Sequence, residues 1–259
     1  MIGDPVQHSL SPALFNAAFR ELGLDWSFAA FTVRAGEAAA ALAAMRTLGL
    51  GGFSVTMPHK EDVAAAADSL TPTAERLGAA NTVVNRNGRV EAGNTDGAGL
   101  VDALLADAGF DPAGRRCVVL GAGGAARAVI LALADAGAAD VAVVGRTPAR
   151  VEACTPLGGR PGIATEDVPR AELVVNATPV GMTVEGLPID PSLLQSGQVV
   201  VDLIYRPAVT PLLAAASERG ATAHNGLSML VHQAGHQLRF WTGQDPPLAA
   251  MFAAVTSPE

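Results

Sequence analysis

Short apolar runs alternate along the chain with alanine-rich segments of helical spacing, and the change between them is sharpest at residues 117–134. There Cys117-Val118-Val119-Leu120 passes directly into Gly121-Ala122-Gly123-Gly124, and the glycines into an alanine-rich segment that runs from Ala125 to Ala134 and stops at Gly137. Four apolar residues bounded by a turn predict a buried strand, and the segment beyond predicts a helix. Strands are expected again at Val141 to Val144, Leu173 to Asn176 and Val199 to Ile204, with helical sequence between them and a short strand near 221–224. Strands that alternate with helices imply an α/β protein with a mainly parallel sheet.

In the first half, Ser11 is a ready helix cap and Pro12 suits the first turn, which predicts a helix through Phe15, Phe19 and Leu22 to Gly23. Trp26 to Val33 reads as a strand, Glu37 to Leu48 as a helix, and Gly52 to Met57 as a second strand broken by Pro58. A helix to about Ser69 follows, then a short one opened by Thr71-Pro72. Asn87-Gly88 between Asn81–Asn85 and Val90–Gly93 predicts a hairpin. This half is therefore expected to end on an antiparallel edge. The domain boundary is expected near 97–102, at the helix after Asn94-Thr95-Asp96-Gly97. Thr210-Pro211 opens a helix ending at Gly220, and Gly226 starts a long one through Met229, Val231, Gln233 and Leu238.

Composition narrows the function classes. With 49% hydrophobic and 16% charged residues in 259, the chain can bury one large core or two modest ones. A net charge of −8 without any block of Lys or Arg gives no footprint for nucleic acid or an anionic membrane surface. No apolar run reaches the roughly 18 to 20 residues that span a bilayer, and no basic region followed by an apolar one opens the chain. A cytoplasmic protein is expected. Cys117 and Cys154 suit neither a zinc site nor a disulfide framework and are expected to be reduced, structural thiols.

The glycines fit Gly-x-Gly-x-x-Gly/Ala, with Gly121 at the turn, Gly123 where a backbone approaches a pyrophosphate and Ala126 where helix meets strand. Free N–H groups and the positive helix end would face an anion. About 20 residues on, an NAD site usually offers a carboxylate to the ribose 2′-hydroxyl. Here the next strand runs into Val144-Gly145-Arg146-Thr147-Pro148-Ala149-Arg150, with two guanidiniums and no carboxylate, which points to NADP. Read without a ligand, both are ordinary solvated arginines.

Hydride transfer at a carbon bearing oxygen needs a proton donor and acceptor. Lys60 is the first candidate, after a strand end and a proline, with Asp96 as a carboxylate that could orient it; alone, it also reads as a solvated charge at a helix start. His232 and His236 are spaced like a zinc pair, but Gln233 stands where a catalytic Glu would be and no third ligand is evident, so no metal is expected. His8 reads equally as a base or as part of a turn.

The chain resembles the shikimate dehydrogenase family over nearly its whole length. The motifs that carry the resemblance are His8-Ser9-Leu10-Ser11-Pro12, Ser54-Val55-Thr56-Met57-Pro58-His59-Lys60, Gly78-Ala79-Ala80-Asn81-Thr82, Asn94-Thr95-Asp96-Gly97, the glycine loop, Gly145-Arg146-Thr147 with Arg150, Asn176-Ala177-Thr178, and Gly226 to Gln233. The resemblance implies a substrate domain over 1–100, completed by 227–259 as the last helices fold back, and a Rossmann-type NADP domain over 101–226. It implies that Ser9, Ser11, Thr56, Lys60, Asn81, Asp96, Tyr205 and Gln233 surround a polyhydroxylated cyclohexene carboxylate. Serine and threonine hydroxyls would take its carboxylate. Lys60 would be the proton donor and acceptor, hydrogen-bonded to Asp96. The cofactor residues implied are Gly121, Ala122, Gly123, Gly124, Ala125, Gly145, Arg146, Thr147, Arg150, Leu203 and Gly226. A monomer or homodimer is expected, with a small-molecule substrate.

Three positions depart from the family pattern. The strand before Gly3-Asp4-Pro5 is cut to Met1-Ile2, so a central strand is expected to be short. Ser54 replaces a frequent Asn, and Gly145 replaces a frequent Asn that contacts the adenosine. The Ser54 change keeps open a quinate/shikimate dehydrogenase or a relative acting on another hydroxylated ring acid. A non-catalytic dinucleotide-binding regulatory module is the alternative of another class, and Lys60 with Asp96 argues against it.

Overall fold

Ile2–Gly3 (β1) pairs in parallel with Phe31–Thr32 (β2) on one side and bridges to Val55 on the other. This arrangement is seen in a computed structural model that describes residues 1–256. Between β1 and β2 lies the helix Ser11–Glu21 (α1), and after β2 the helix Ala38–Leu48 (α2) and strand Gly52–Ser54 (β3). Then come Lys60–Ala66 (α3), Ser69–Leu70 (β4), Pro72–Leu77 (α4), Thr82–Arg86 (β5) and Arg89–Gly93 (β6). The second sheet has the order β3-β5-β6-β4, with the β5–β6 hairpin antiparallel and β4 parallel to β6.

Four sequence expectations change here. Ser11 is not the cap: it is the first helical residue, and its backbone N–H donates to Ser9 Oγ at 3.2 Å. The strand expected over Trp26–Val33 forms only at Phe31–Thr32, because its partner is just two residues long. The helix expected to reach Ser69 stops at Ala66, and Ala67 turns to extended backbone. Asp68 explains that turn, since its N–H donates to Val90 O and its carboxylate accepts from Val90 N–H and Arg46. The chain thus peels away to form β4, and the hairpin lies inside the sheet rather than at its edge.

The remaining elements are Asp96–Asp107 (α5), Arg116–Leu120 (β7), Gly124–Asp135 (α6), Asp140–Val144 (β8), Pro148–Glu152 (α7), Arg160–Pro161 (β9), Ala164–Asp167 (α8), Leu173–Asn176 (β10), Val199–Asp202 (β11), Pro211–Glu218 (α9), Thr222–Asn225 (β12), Leu227–Thr242 (α10) and Leu248–Thr256 (α11). Strands β7 to β12 form an all-parallel sheet in the order β12-β11-β10-β7-β8-β9. Numbered from β7 as the first strand, this is the doubly wound order 3-2-1-4-5-6, whose ligands bind beyond the carboxyl ends of the strands at the switch between first and fourth.

By contacts the chain divides into two compact units, Met1–Thr95 with the segment from Val231 onward, and Asp96–Leu230. The first buries Ile2, Leu42, Met45, Phe53, Val63 and Val83 around its sheets. Trp241 of α10 belongs to this unit: its ring lies 4.7 Å from that of Phe15, and its indole N–H donates to Thr82 Oγ1 at 2.9 Å. The second unit buries Val118, Leu120, Val174, Val200 and Leu212. Among the described residues no helix is long and apolar enough to cross a membrane.

Candidate active site

In the first unit the turn that begins at Gly3 packs on the end of β3. A Cβ at Gly3 would collide with the Thr56 and Val6 side chains, and Asp4 N–H donates to Met57 O at 2.9 Å. Ser9 and Ser11 follow on this turn, Ser9 half-buried and Ser11 buried. Thr56, half-buried, holds the turn before α3 through His59 N–H, which donates to its carbonyl. His59 is fully buried and its Nε2 lies 2.7 Å from the Val33 carbonyl, so that nitrogen carries the proton. Lys60 is the first residue of α3 and half-buried, and its carbonyl accepts the Ala80 N–H at 2.8 Å. That bond sets Lys60 beside the segment bearing Asn81.

Asn81 is the hub of this half. Its Oδ1 accepts the Thr95 N–H at 2.9 Å, and its Nδ2 donates to Thr95 Oγ1 at 2.9 Å and to Gln233 Oε1 at 3.3 Å. Thr95 Oγ1 in turn donates to the Gln233 carbonyl at 3.0 Å. Two motifs separated by 152 residues are thereby joined. Asp96, buried, follows Thr95 directly as the first residue of α5. His8 is exposed, and His232 packs edge-on against Phe252. Among the described residues no three His, Cys, Asp or Glu side chains gather as a metal site.

In the second unit, Val144, Leu120, Asn176, Asp202 and Asn225 are register partners across five adjacent strands. The residues just beyond them are Gly145, Gly121, Ala177, Leu203 and Gly226, a row about 19 Å long at ordinary strand spacing. Four of these five were singled out in the sequence as cofactor residues. Gly121 sits at φ +111°, a conformation other residues resist, and its N–H donates to Val144 O at 2.8 Å. A Cβ on Gly123 or Gly124 would meet no atom within 4 Å, so the loop backbone at the start of α6 is open to a ligand. Arg146, Thr147 and Arg150 are exposed at the start of α7.

Beneath this row lies a polar network that the sequence reading left out of the site. Asn176 and Asp202 are fully buried, and Asn176 Nδ2 donates to Asp202 Oδ1 at 3.0 Å. Asn176 Oδ1 accepts from the Thr178 hydroxyl at 2.7 Å, and Asp202 accepts from Ile204 N–H and, at 2.7 Å, from the Thr210 hydroxyl. Burial pushes the Asp202 carboxyl above its ordinary range, and the three hydrogen bonds oppose the shift. The network fixes the loops carrying Thr178, Leu203 and Tyr205. Tyr205 is half-buried, and burial raises its phenol, which stays a neutral hydroxyl.

Residues 1–83 match the family model for the shikimate dehydrogenase substrate binding domain, and residues 226–256 that for the shikimate 5′-dehydrogenase C-terminal domain. The Moorella thermoacetica protein named shikimate dehydrogenase (NADP(+)) is 44% identical over 97% of this chain and 90% of its own length. The chain belongs to the shikimate dehydrogenase family. Among solved structures of the family, a Thermus thermophilus shikimate 5-dehydrogenase in complex with NADP(H) and shikimate aligns with a TM-score of 0.92 and 38% identity, over 98% of this chain and 96% of that one. A quinate dehydrogenase from Corynebacterium glutamicum in complex with NAD aligns at 0.90 and 29%, over 98% and 96%. Family membership accounts for both halves of the chain. It includes the Rossmann-type sheet read from the glycine loop.

Proposed function

We propose that this protein is an NADP-dependent shikimate dehydrogenase of the shikimate pathway, an oxidoreductase that reduces 3-dehydroshikimate to shikimate reversibly. What carries the reading is the gathering of Lys60, Asn81 and Gln233 in one unit of a chain from this family. The glycine loop and the arginines at the strand ends of the other unit support it. The Moorella thermoacetica relative is named shikimate dehydrogenase (NADP(+)), and the Thermus thermophilus enzyme was solved with NADP(H) and shikimate, in keeping with it.

The residues present suit the cofactor. The open backbone at Gly123 and Gly124, the start of α6 and the absence of a carboxylate at Gly145 to Arg150 would admit a pyrophosphate and a 2′-phosphate. When bound, NADPH supplies the hydride for the ring ketone. The Lys60 Nζ gives a proton to the ketone oxygen during reduction and takes it back during oxidation. Asp96 holds the Lys60 ammonium and a ring hydroxyl. Ser9, Ser11 and Thr56 hold the substrate carboxylate through their hydroxyls, Asn81 and Gln233 orient the ring, and Tyr205 is a further substrate residue. Leu203 and Gly226 would border the cofactor.

We place the enzyme in the cytoplasm, where its two free, buried cysteines would remain reduced. It works as a monomer or homodimer. One observation favours a second reading, a quinate/shikimate dehydrogenase: buried Ser54 stands at the end of β3 in place of a longer amide. Turnover of shikimate and quinate, each with NADP and NAD, tests both. A preference for shikimate with NADP supports the main reading, comparable turnover of quinate supports the second, and binding of NADPH without turnover of either acid would replace both with a regulatory module.

A further inference from the structure

Gln237 lies one helical turn beyond Gln233 on α10 and is 1% exposed. Its Nε2 donates to the Gln233 Oε1 at 2.7 Å and to the Asn81 backbone carbonyl at 3.3 Å. Its own Oε1 is buried without a partner. A long amide half satisfied in the core is costly, and a methionine of similar volume would avoid the cost. A residue that only filled space here would be apolar.

The orientation of every amide in this cluster follows from two backbone groups that cannot reverse their roles. The Asn81 carbonyl can only accept, so it fixes the Gln237 amide with Nε2 inward, against Gln233. The Thr95 N–H can only donate, so it fixes Asn81 with Oδ1 toward Thr95 and Nδ2 toward Gln233. Gln233 therefore faces two donors and must turn its Oε1 to both. Its Nε2 is then set on the opposite side, as a donor.

We propose that Gln237 is a positioning residue for the substrate. It locks the Gln233 side chain so that Gln233 presents an N–H, and not a carbonyl oxygen, to a ring hydroxyl or ketone. The inference rests on the shikimate dehydrogenase reading, which puts Gln233 against substrate. Gln237 itself touches no substrate. Without it, the Gln233 Oε1 loses the shorter of the two donated bonds that orient its amide.

A double-mutant cycle tests this with wild type, Gln237→Met, Gln233→Ala and the double variant, reading Tm and the KM values for shikimate and NADP. In Gln237→Met the KM for shikimate should rise about 3- to 10-fold, the loss of one oriented hydrogen bond, while the KM for NADP is unchanged and Tm is equal or higher. The double variant should be no worse than Gln233→Ala, because Gln237 acts on the substrate through the Gln233 side chain and meets Asn81 only at its backbone carbonyl. An unchanged KM for shikimate in Gln237→Met, or losses that add in the double variant, would overturn the inference. Wild type is the control on the underlying reading. If wild type does not turn over shikimate, that reading falls and this inference with it; if it does and the variants match it, only this inference falls.

Discussion

Gly226 stands so close to Leu203 that a Cβ built on it would lie 2.5 Å from the Leu203 carbonyl carbon. The backbone beyond β11 and β12 is tied together here, with Gly226 N–H donating to Ile204 O at 3.1 Å. Gly226→Ala should force the two strand ends apart and cost about 1–3 kcal/mol of stability. In steady-state kinetics the KM for NADP should rise more than that for shikimate. An alanine variant with wild-type Tm and NADP kinetics would show that the close approach is dispensable.

Arg146 and Arg150 are exposed where β8 gives way to α7. A charge-assisted bond to the 2′-phosphate contributes about 1.5–3 kcal/mol, so Arg146→Ala should raise the KM for NADP about 10-fold or more and leave that for NAD nearly unchanged. Equal loss with both cofactors would remove the 2′-phosphate from the account of this loop.

Much of this was readable from residues alone, and the reasons differ by element. The strand, glycine loop and helix at 117–134 are local: apolar run, turn and helical spacing all point the same way. Strand β4 was missed because Ser69-Leu70 is too short to show a period. It forms through the contacts of Asp68 with Val90, which no local pattern records. Trp26 to Val33 has strand composition, yet only two residues find a partner. Among the proposed site residues, Lys60 and Gln233 were singled out through motifs. Asp202 fell inside the strand expected over Val199 to Ile204, and Gln237 inside the long helix, with no motif to mark either. Only the fold brings Asp202 to Asn176 and Thr210, and Gln237 to Asn81.

Asp202 makes a pH prediction. Burial raises its folded value above the ordinary one, so the folded state binds the proton more tightly than the unfolded state. As pH rises from the ordinary carboxylate value through the raised one, wild type should lose stability relative to Asp202→Asn, and the difference should then stay constant. Asp202→Ala leaves Asn176 Nδ2, Ile204 N–H and the Thr210 hydroxyl without their acceptor and should cost about 2–4 kcal/mol at neutral pH. Thermal melts of the three proteins across pH check both. A difference that grows in wild type's favour with rising pH would contradict the sign.

The thiols should be inert in the folded protein. Burial first, then the nearby Glu172 and Asp140 carboxylates, pushes Cys117 up to about 12, and burial also raises Cys154. Thiol reagents act on the thiolate, so native protein at mildly alkaline pH should give almost no labelling and denatured protein both thiols. Rapid native labelling would show an opening that exposes β7.

Lys60 decides the central claim. NADPH formation from shikimate and NADP should be measurable in wild type and should fall at least about 10²-fold in kcat for Lys60→Ala, with the circular dichroism spectrum and the KM for NADP unchanged. Absence of shikimate turnover in wild type, or full turnover retained in Lys60→Ala, would contradict the account.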